Sequence, residues 1–161
     1  MLDNFRLLKT NNTKPAQARI DSFCGRIGVQ LPNDYQAFLT SYNGVIFDSG
    51  LCFHIPAIDE YAELYTLYGF DFDNPQGTNL ESAYGYNFNY DMDGSTLAIG
   101  HCSTGNGGLF ILLVTRDDMS GIYACDLFHD DFVYAASSVD SNTFKIAENF
   151  TEFISKLEYR Q

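Results

Sequence analysis

The chain has no tryptophan, no CxxC pair, and no lysine or arginine from Ile27 to Thr115. It also lacks any stretch near the roughly 18 apolar residues of a membrane-spanning helix. Its opening, MLDNFRLLKTNNTKP, has only a short apolar patch and no small-residue cleavage site. These absences argue against a spanning segment and a secretory signal, and so for a cytoplasmic protein. Zinc-ligand spacing is missing too. Cys24, Cys52, Cys102 and Cys125 stand far apart among hydrophobic neighbours. That fits buried free thiols in a reducing compartment, and leaves one or two disulfides open.

The missing cations say most about function. Residues 1–26 hold five basic side chains (Arg6, Lys9, Lys14, Arg19, Arg26) against two acidic ones. From Ile27 to Thr115 come ten carboxylates with nothing to offset them, and 116–161 adds nine acids against four bases, for a net charge of −12. Such a field opposes nucleic acid and anionic membranes and draws in basic partners over about a Debye length. Acidity alone also serves solubility, but ordinary surfaces intersperse both signs.

What is present suits one domain over 1–161, with a core from about 15 to 158, rich in the 14 Phe and 11 Tyr. Ile20, Phe23, Cys24 and Ile27 recur at helical spacing between Pro15 and Gly28, which predicts an amphipathic helix. Tyr35, Phe38, Leu39 and Tyr42 predict a second, opened by Pro32 and Asp34 and stopped by Asn43-Gly44. Phe150, Phe153, Ile154 and Leu157 predict a third, with Asn149 and Glu152 at the spacing of a capping box. The stretch 59–69, acidic at its start and ended by Gly69, reads as a weaker fourth helix. Strands are predicted at 51–55, 96–100, 109–115, 121–127 and 132–136, the last four too closely spaced for crossover helices and therefore antiparallel. The fold class is α+β: a mainly antiparallel central sheet with helices at both chain ends packed against it. Residues 70–95 read as long, turn-rich and irregular.

Candidate chemistry is thin. The run 100-GHCSTGNGG-108 lacks GxxxxGK[ST] and leads into a strand, so it reads as an interstrand loop, not a phosphate cradle. Adjacent strand residues face opposite sides, which argues against a His101–Cys102 nucleophile pair. Asn89, Asp91, Asp93 and Gly94 imitate half a calcium loop, but Gly100 stands where a bidentate Glu is needed. No metal site and no cofactor is expected, and paired catalytic carboxylates cannot be singled out. Tyr84, Tyr86, Phe88 and Tyr90 alternate, so an extended segment would present them on one face. Facing inward they are core. Facing outward, Tyr84, Tyr86 and Tyr90 beside Asp71, Asp73, Asp91 and Asp93 form a candidate partner-binding surface, with rigid aromatic anchors and carboxylates for Arg and Lys.

The ordered series Ile20-Asp21-Ser22-Phe23, Leu31-Pro32-Asn33-Asp34-Tyr35, Phe38-Leu39, Tyr42-Asn43-Gly44, Ile99-Gly100, Gly105-Asn106-Gly107-Gly108, Ile122-Tyr123-Ala124-Cys125-Asp126 and Phe150-Thr151-Glu152-Phe153-Ile154 resembles the SUKH superfamily. That superfamily is named for yeast cell-wall assembly regulators and has many bacterial relatives. The chain departs from the commoner pattern at Cys125, where an aromatic usually follows Tyr-Ala. The resemblance implies an α+β domain without catalytic residues. Its implied role is an immunity protein neutralising a cognate toxin domain, often one that attacks nucleic acid, or else a regulatory or scaffolding module. The expected partner is therefore a basic protein. A small thiol enzyme using Cys102 and a histidine is the third alternative.

Overall fold

The chain begins with a strand that periodicity does not announce. The computed structural model describes residues 1–75, 77–89 (85–89 as backbone only), 94–126 and 142–160. In chain order its elements are β1 (Leu7–Thr10), α1 (Gln17–Ile27), α2 (Asn33–Ser41), β2 (Val45–Phe47), β3 (Leu51–Ile55), β4 (Glu60–Leu67), α3 (Leu80–Asn89), β5 (Thr96–Thr104), β6 (Gly107–Val114), β7 (Gly121–Cys125), β8 (Thr143–Ala147), α4 (Phe150–Ser155) and β9 (Glu158–Tyr159). The strands form one antiparallel sheet in the order β1-β2-β4-β5-β6-β7-β8, with β3 paired to β4 and β9 paired to β3. The α+β expectation holds, with the difference that β1 and β9 flank the terminal helices.

The predicted helices form for the reasons their sequences suggest. Ile20, Phe23, Cys24 and Ile27 are the buried face of α1, which Gly28 ends at φ 73° with its N–H donating to the Cys24 carbonyl. Tyr35, Phe38 and Leu39 are buried on α2, and Asn43 (φ 48°) supplies the left-handed residue beyond it. On α4 the Asn149 side chain accepts from the Glu152 N–H at 2.8 Å. Aromatic rings then lock the layers together. Phe150 meets Tyr35 and Phe38 at 5.1 and 5.2 Å between centroids, and Phe153 meets Phe53 of β3 at 5.4 Å. One face of the sheet is thereby sealed by helices.

Two segments take a different form from the expected one, and β1, β2, β8 and β9 arise where no strand was predicted. Residues 60–67 are strand β4, not a helix: Ala62, Leu64 and Thr66 are buried while Tyr61, Glu63 and Tyr65 look away, an alternation of period two. Residues 80–89, expected to be irregular, are helix α3. Leu80 and Ala83 are buried at i and i+3, and the Asn79 side chain accepts from the N–H groups of Glu81 and Ser82 at 3.0 and 2.9 Å. The alternation Tyr84, Tyr86, Phe88 consequently cannot define one extended face, because residues two apart on a helix diverge. The strand expected at 132–136 lies outside the described residues. The run 100–108, expected to be an interstrand loop, is mostly strand: 100–104 belong to β5 and 107–108 to β6, so that only the two-residue turn Gly105-Asn106 joins them, with Thr104 paired to Gly107.

Candidate functional site

The basic residues near the start of the chain meet the acidic middle by folding. Arg6 pairs with Asp48 at 3.4 Å and Lys9 with Asp73 at 3.3 Å. Arg19 of α1 bridges Asp71 and Glu81, the latter at 3.2 Å, and Arg26 reaches the other Glu81 oxygen at 2.7 Å. The Arg19 hydrogen bond holds the Asp71 carboxyl below the usual carboxylate range, and raises Arg19 in return. Asp71 and Asp73 are thus partly neutralised in place, although both remain exposed.

The chain between β4 and α3 is fixed from below by Asn43. Its buried amide donates to the Thr13 and Phe70 carbonyls at 2.6 and 3.1 Å, and its oxygen accepts from the Phe70 N–H at 2.8 Å. Gly69 is required beside it, since a Cβ there would lie 2.0 Å from the Asn43 carbonyl oxygen.

The anticipated surface is therefore only partly assembled as foreseen. Asp71 and Asp73 precede α3, and Tyr84 is half-buried on it with its ring 6.2 Å from Phe23 of α1, on the core side. Tyr86 lies on α3 with its side chain outside the described set; Tyr90, Asp91 and Asp93 lie outside the described residues, and with them the two aspartates of the calcium-like series.

Sequence reasoning missed the sheet face turned away from the helices. Cys52 faces Glu63, His54 faces Tyr61, Glu63 faces Ser103 and Cys52 faces Glu158 across the ladder. Directly opposed residues share a face, so these side chains form one surface on β3, β4, β5 and β9. The signal was available in the alternation Tyr61, Glu63, Tyr65, which the helical assignment of 59–69 hid.

All nine Lys and Arg residues are described. Arg6, Lys9, Arg19, Arg26, Arg116, Lys145 and Lys156 each hold a carboxylate. Lys14 donates to the Asn11 and Tyr42 carbonyls, and Arg160 stacks on Tyr61. Every cation is engaged internally, which leaves the acidic excess to face solvent.

His101 and Cys102 do point apart on β5: Cys102 is fully buried opposite Leu64, and His101 stacks beside Tyr65 at 6.0 Å. Burial pushes the Cys102 thiol far up and His101 down, the reverse of a thiolate–imidazolium pair. All four cysteines are free thiols. Among the described residues no helix is long and apolar enough to cross a membrane.

Residues 14–156 match the model of the SMI1 / KNR4 family (SUKH-1). The chain belongs to that family. No curated protein and no solved structure matches it significantly. In this SUKH-1 protein the matched span runs from just before α1 to the end of α4, so it includes the Arg19–Asp71–Glu81 cluster and most of the sheet. Strands β1 and β9 fall outside it. Membership is consistent with an immunity-like or a regulator-like role.

Proposed function

We propose that this SUKH-1 protein is an immunity protein that binds and neutralises a cognate bacterial toxin domain, a nuclease or another toxin directed at nucleic acid. It acts in the cytoplasm by stoichiometric occlusion, without turnover. The observation that carries the reading is the electrostatic inventory: cations all engaged within the fold, under a net charge of −12. A nuclease must present Lys and Arg to phosphate, and a blocker gains association rate and register from a complementary acidic surface. The buried Cys102 thiol, held protonated, supports binding over nucleophilic chemistry.

The test is co-purification with the product of an adjacent toxin gene, followed by growth of cells expressing that toxin. Rescue by this protein is the expected result. A toxin that kills equally with and without it defeats the reading for that pair. The regulator-like alternative draws on the same family membership. It predicts capture of a host protein that is not toxic, and a chromosomal setting without a toxin gene.

A further inference from the structure

The sheet face turned from the helices has a feature that the surroundings of Asp71 and Asp73 lack: a carboxylate that is held in position and left without a cation. Glu63 of β4 accepts from the Gly50 N–H at 2.8 Å through one oxygen and from the Tyr65 hydroxyl at 3.3 Å through the other. The Tyr65 hydroxyl is itself 2.8 Å from that of Ser103 on β5. No Lys or Arg lies within ion-pair distance of Glu63 among the described residues, which include every Lys and Arg of the chain. Glu158 of β9 stands on the same side, opposite Cys52 and exposed.

On this face a guanidinium is already in place. Arg160 lies over the Tyr61 ring at 3.4 Å from its centroid, and its backbone N–H donates to the Gly50 carbonyl at 2.9 Å. Burial raises the Cys52 thiol, Glu63 and Glu158 raise it further and Arg160 opposes them, so all three charges act on one point of the face. A flat aromatic ring, 41% exposed, flanked by carboxylates is a setting in which a guanidinium both stacks and pairs, which an ammonium does less well. Beside Glu63 and Tyr65 lies a hollow of about 240 Å³ that Leu8, Ile46, Ser49 and Pro75 complete, with room for the apolar part of a neighbouring side chain.

We propose that the face formed by β3, β4 and β9 is the docking surface for an arginine-bearing segment of a basic protein, whose guanidinium displaces Arg160 from Tyr61. Charge complementarity selects that occupant, because β2 to β6 contain no Lys or Arg and the Arg160 guanidinium shows the geometry the face accepts. The proposal rests on the immunity reading and specifies where its partner is held. Arg160 then acts as an internal competitor that keeps Tyr61 covered until a partner arrives.

The test is an amide NMR titration of the full chain with an amidated hexa-arginine peptide at low salt, repeated on Glu63→Gln, Tyr61→Ala and Arg160→Gln. Tyr61 and Arg160 are exposed and Glu63 is half-buried, and each variant's free spectrum reports folding directly. Shifts at Cys52, Tyr61, Glu63, Tyr65 and Glu158 are expected. Glu63→Gln and Tyr61→Ala should weaken binding about two- to fivefold each, the range of exposed ion pairs and cation–π contacts. Arg160→Gln should tighten it by a similar factor. Shifts confined to residues 71–84, or an affinity indifferent to all three substitutions, would overturn this surface while leaving an acidic binder intact. A peptide that does not bind the unaltered chain at all would overturn both.

Discussion

Asn43 ties three segments of the described fold together. Its side chain is buried, its φ is 48°, and its three hydrogen bonds tie the end of α2 to Thr13 and to both backbone groups of Phe70. Alanine there strands buried donors and acceptors and tolerates the left-handed backbone less well than asparagine, together about 2–4 kcal/mol. Urea unfolding of Asn43→Ala should show that loss; a change under about 0.5 kcal/mol, the level of an ordinary surface substitution, would contradict it. His101 gives a pH signature. Burial between Tyr65 and Phe110 lowers its pKa below the ordinary 6.5. The unfolded chain therefore takes up this proton first as pH falls. Stability is full above 6.5 and declines from there down to the folded-state pKa. Comparing unfolding midpoints at about pH 7.5 and about pH 5.5, both placed around the ordinary histidine range, should show a smaller acid loss in His101→Asn than in the parent. Equal losses would remove this account of His101.

At the scale of elements, helix ends are joined across the fold. One Asp34 oxygen accepts from the Tyr35 N–H at 2.9 Å within α2, and the other accepts from the Thr151 N–H at 2.8 Å in the first turn of α4. One carboxylate thus serves two helix N-termini, where negative charge is favoured. With Asn149 it satisfies two N–H groups that α4 leaves open. Removing the cap in Asn149→Ala should cost about 1 kcal/mol. Asp34→Ala should cost at least as much despite being remote in sequence, and thermal melts of both variants and their double check this. A harmless Asp34→Ala would mean that the inter-helix cap contributes nothing.

The same scale shows what was legible. α1, α2 and α4 could be read because a single buried stripe at helical spacing coincided with real stop and cap residues. β4 was hidden because its outer residues, Tyr61, Glu63 and Tyr65, mix aromatic and acidic types, and its inner ones include Ala62 and Thr66, so neither face is cleanly apolar or polar. α3 was hidden by the opposite accident. Its tyrosines and phenylalanine alternate like a strand, while the helical signal is confined to Asn79, Leu80, Ser82 and Ala83. Short β1, β2 and β9 hold their places by pairing with distant strands, which local pattern cannot report.

For the whole molecule, the acidic character of 27–115 was visible in the sequence, but its resolution was not. Arg6, Lys9, Arg19 and Arg26 cross long sequence separations to engage Asp48, Asp73, Asp71 and Glu81, so the conspicuous aspartates before α3 are the compensated ones. Glu63 is a carboxylate held in position by neutral donors, with no Lys or Arg beside it. Exposed ion pairs like these contribute at most about 1 kcal/mol each. Their larger effect is on the field, since they use up the positive charge that would otherwise oppose a basic partner. We propose that this field drives association with a basic protein. That drive is tested most directly by titration calorimetry of the chain against its cognate toxin domain over a range of sodium chloride. The dissociation constant should rise at least about tenfold between roughly 50 and 500 mM salt as screening shortens the reach of the acidic face. An affinity that stays constant across that range would contradict the account.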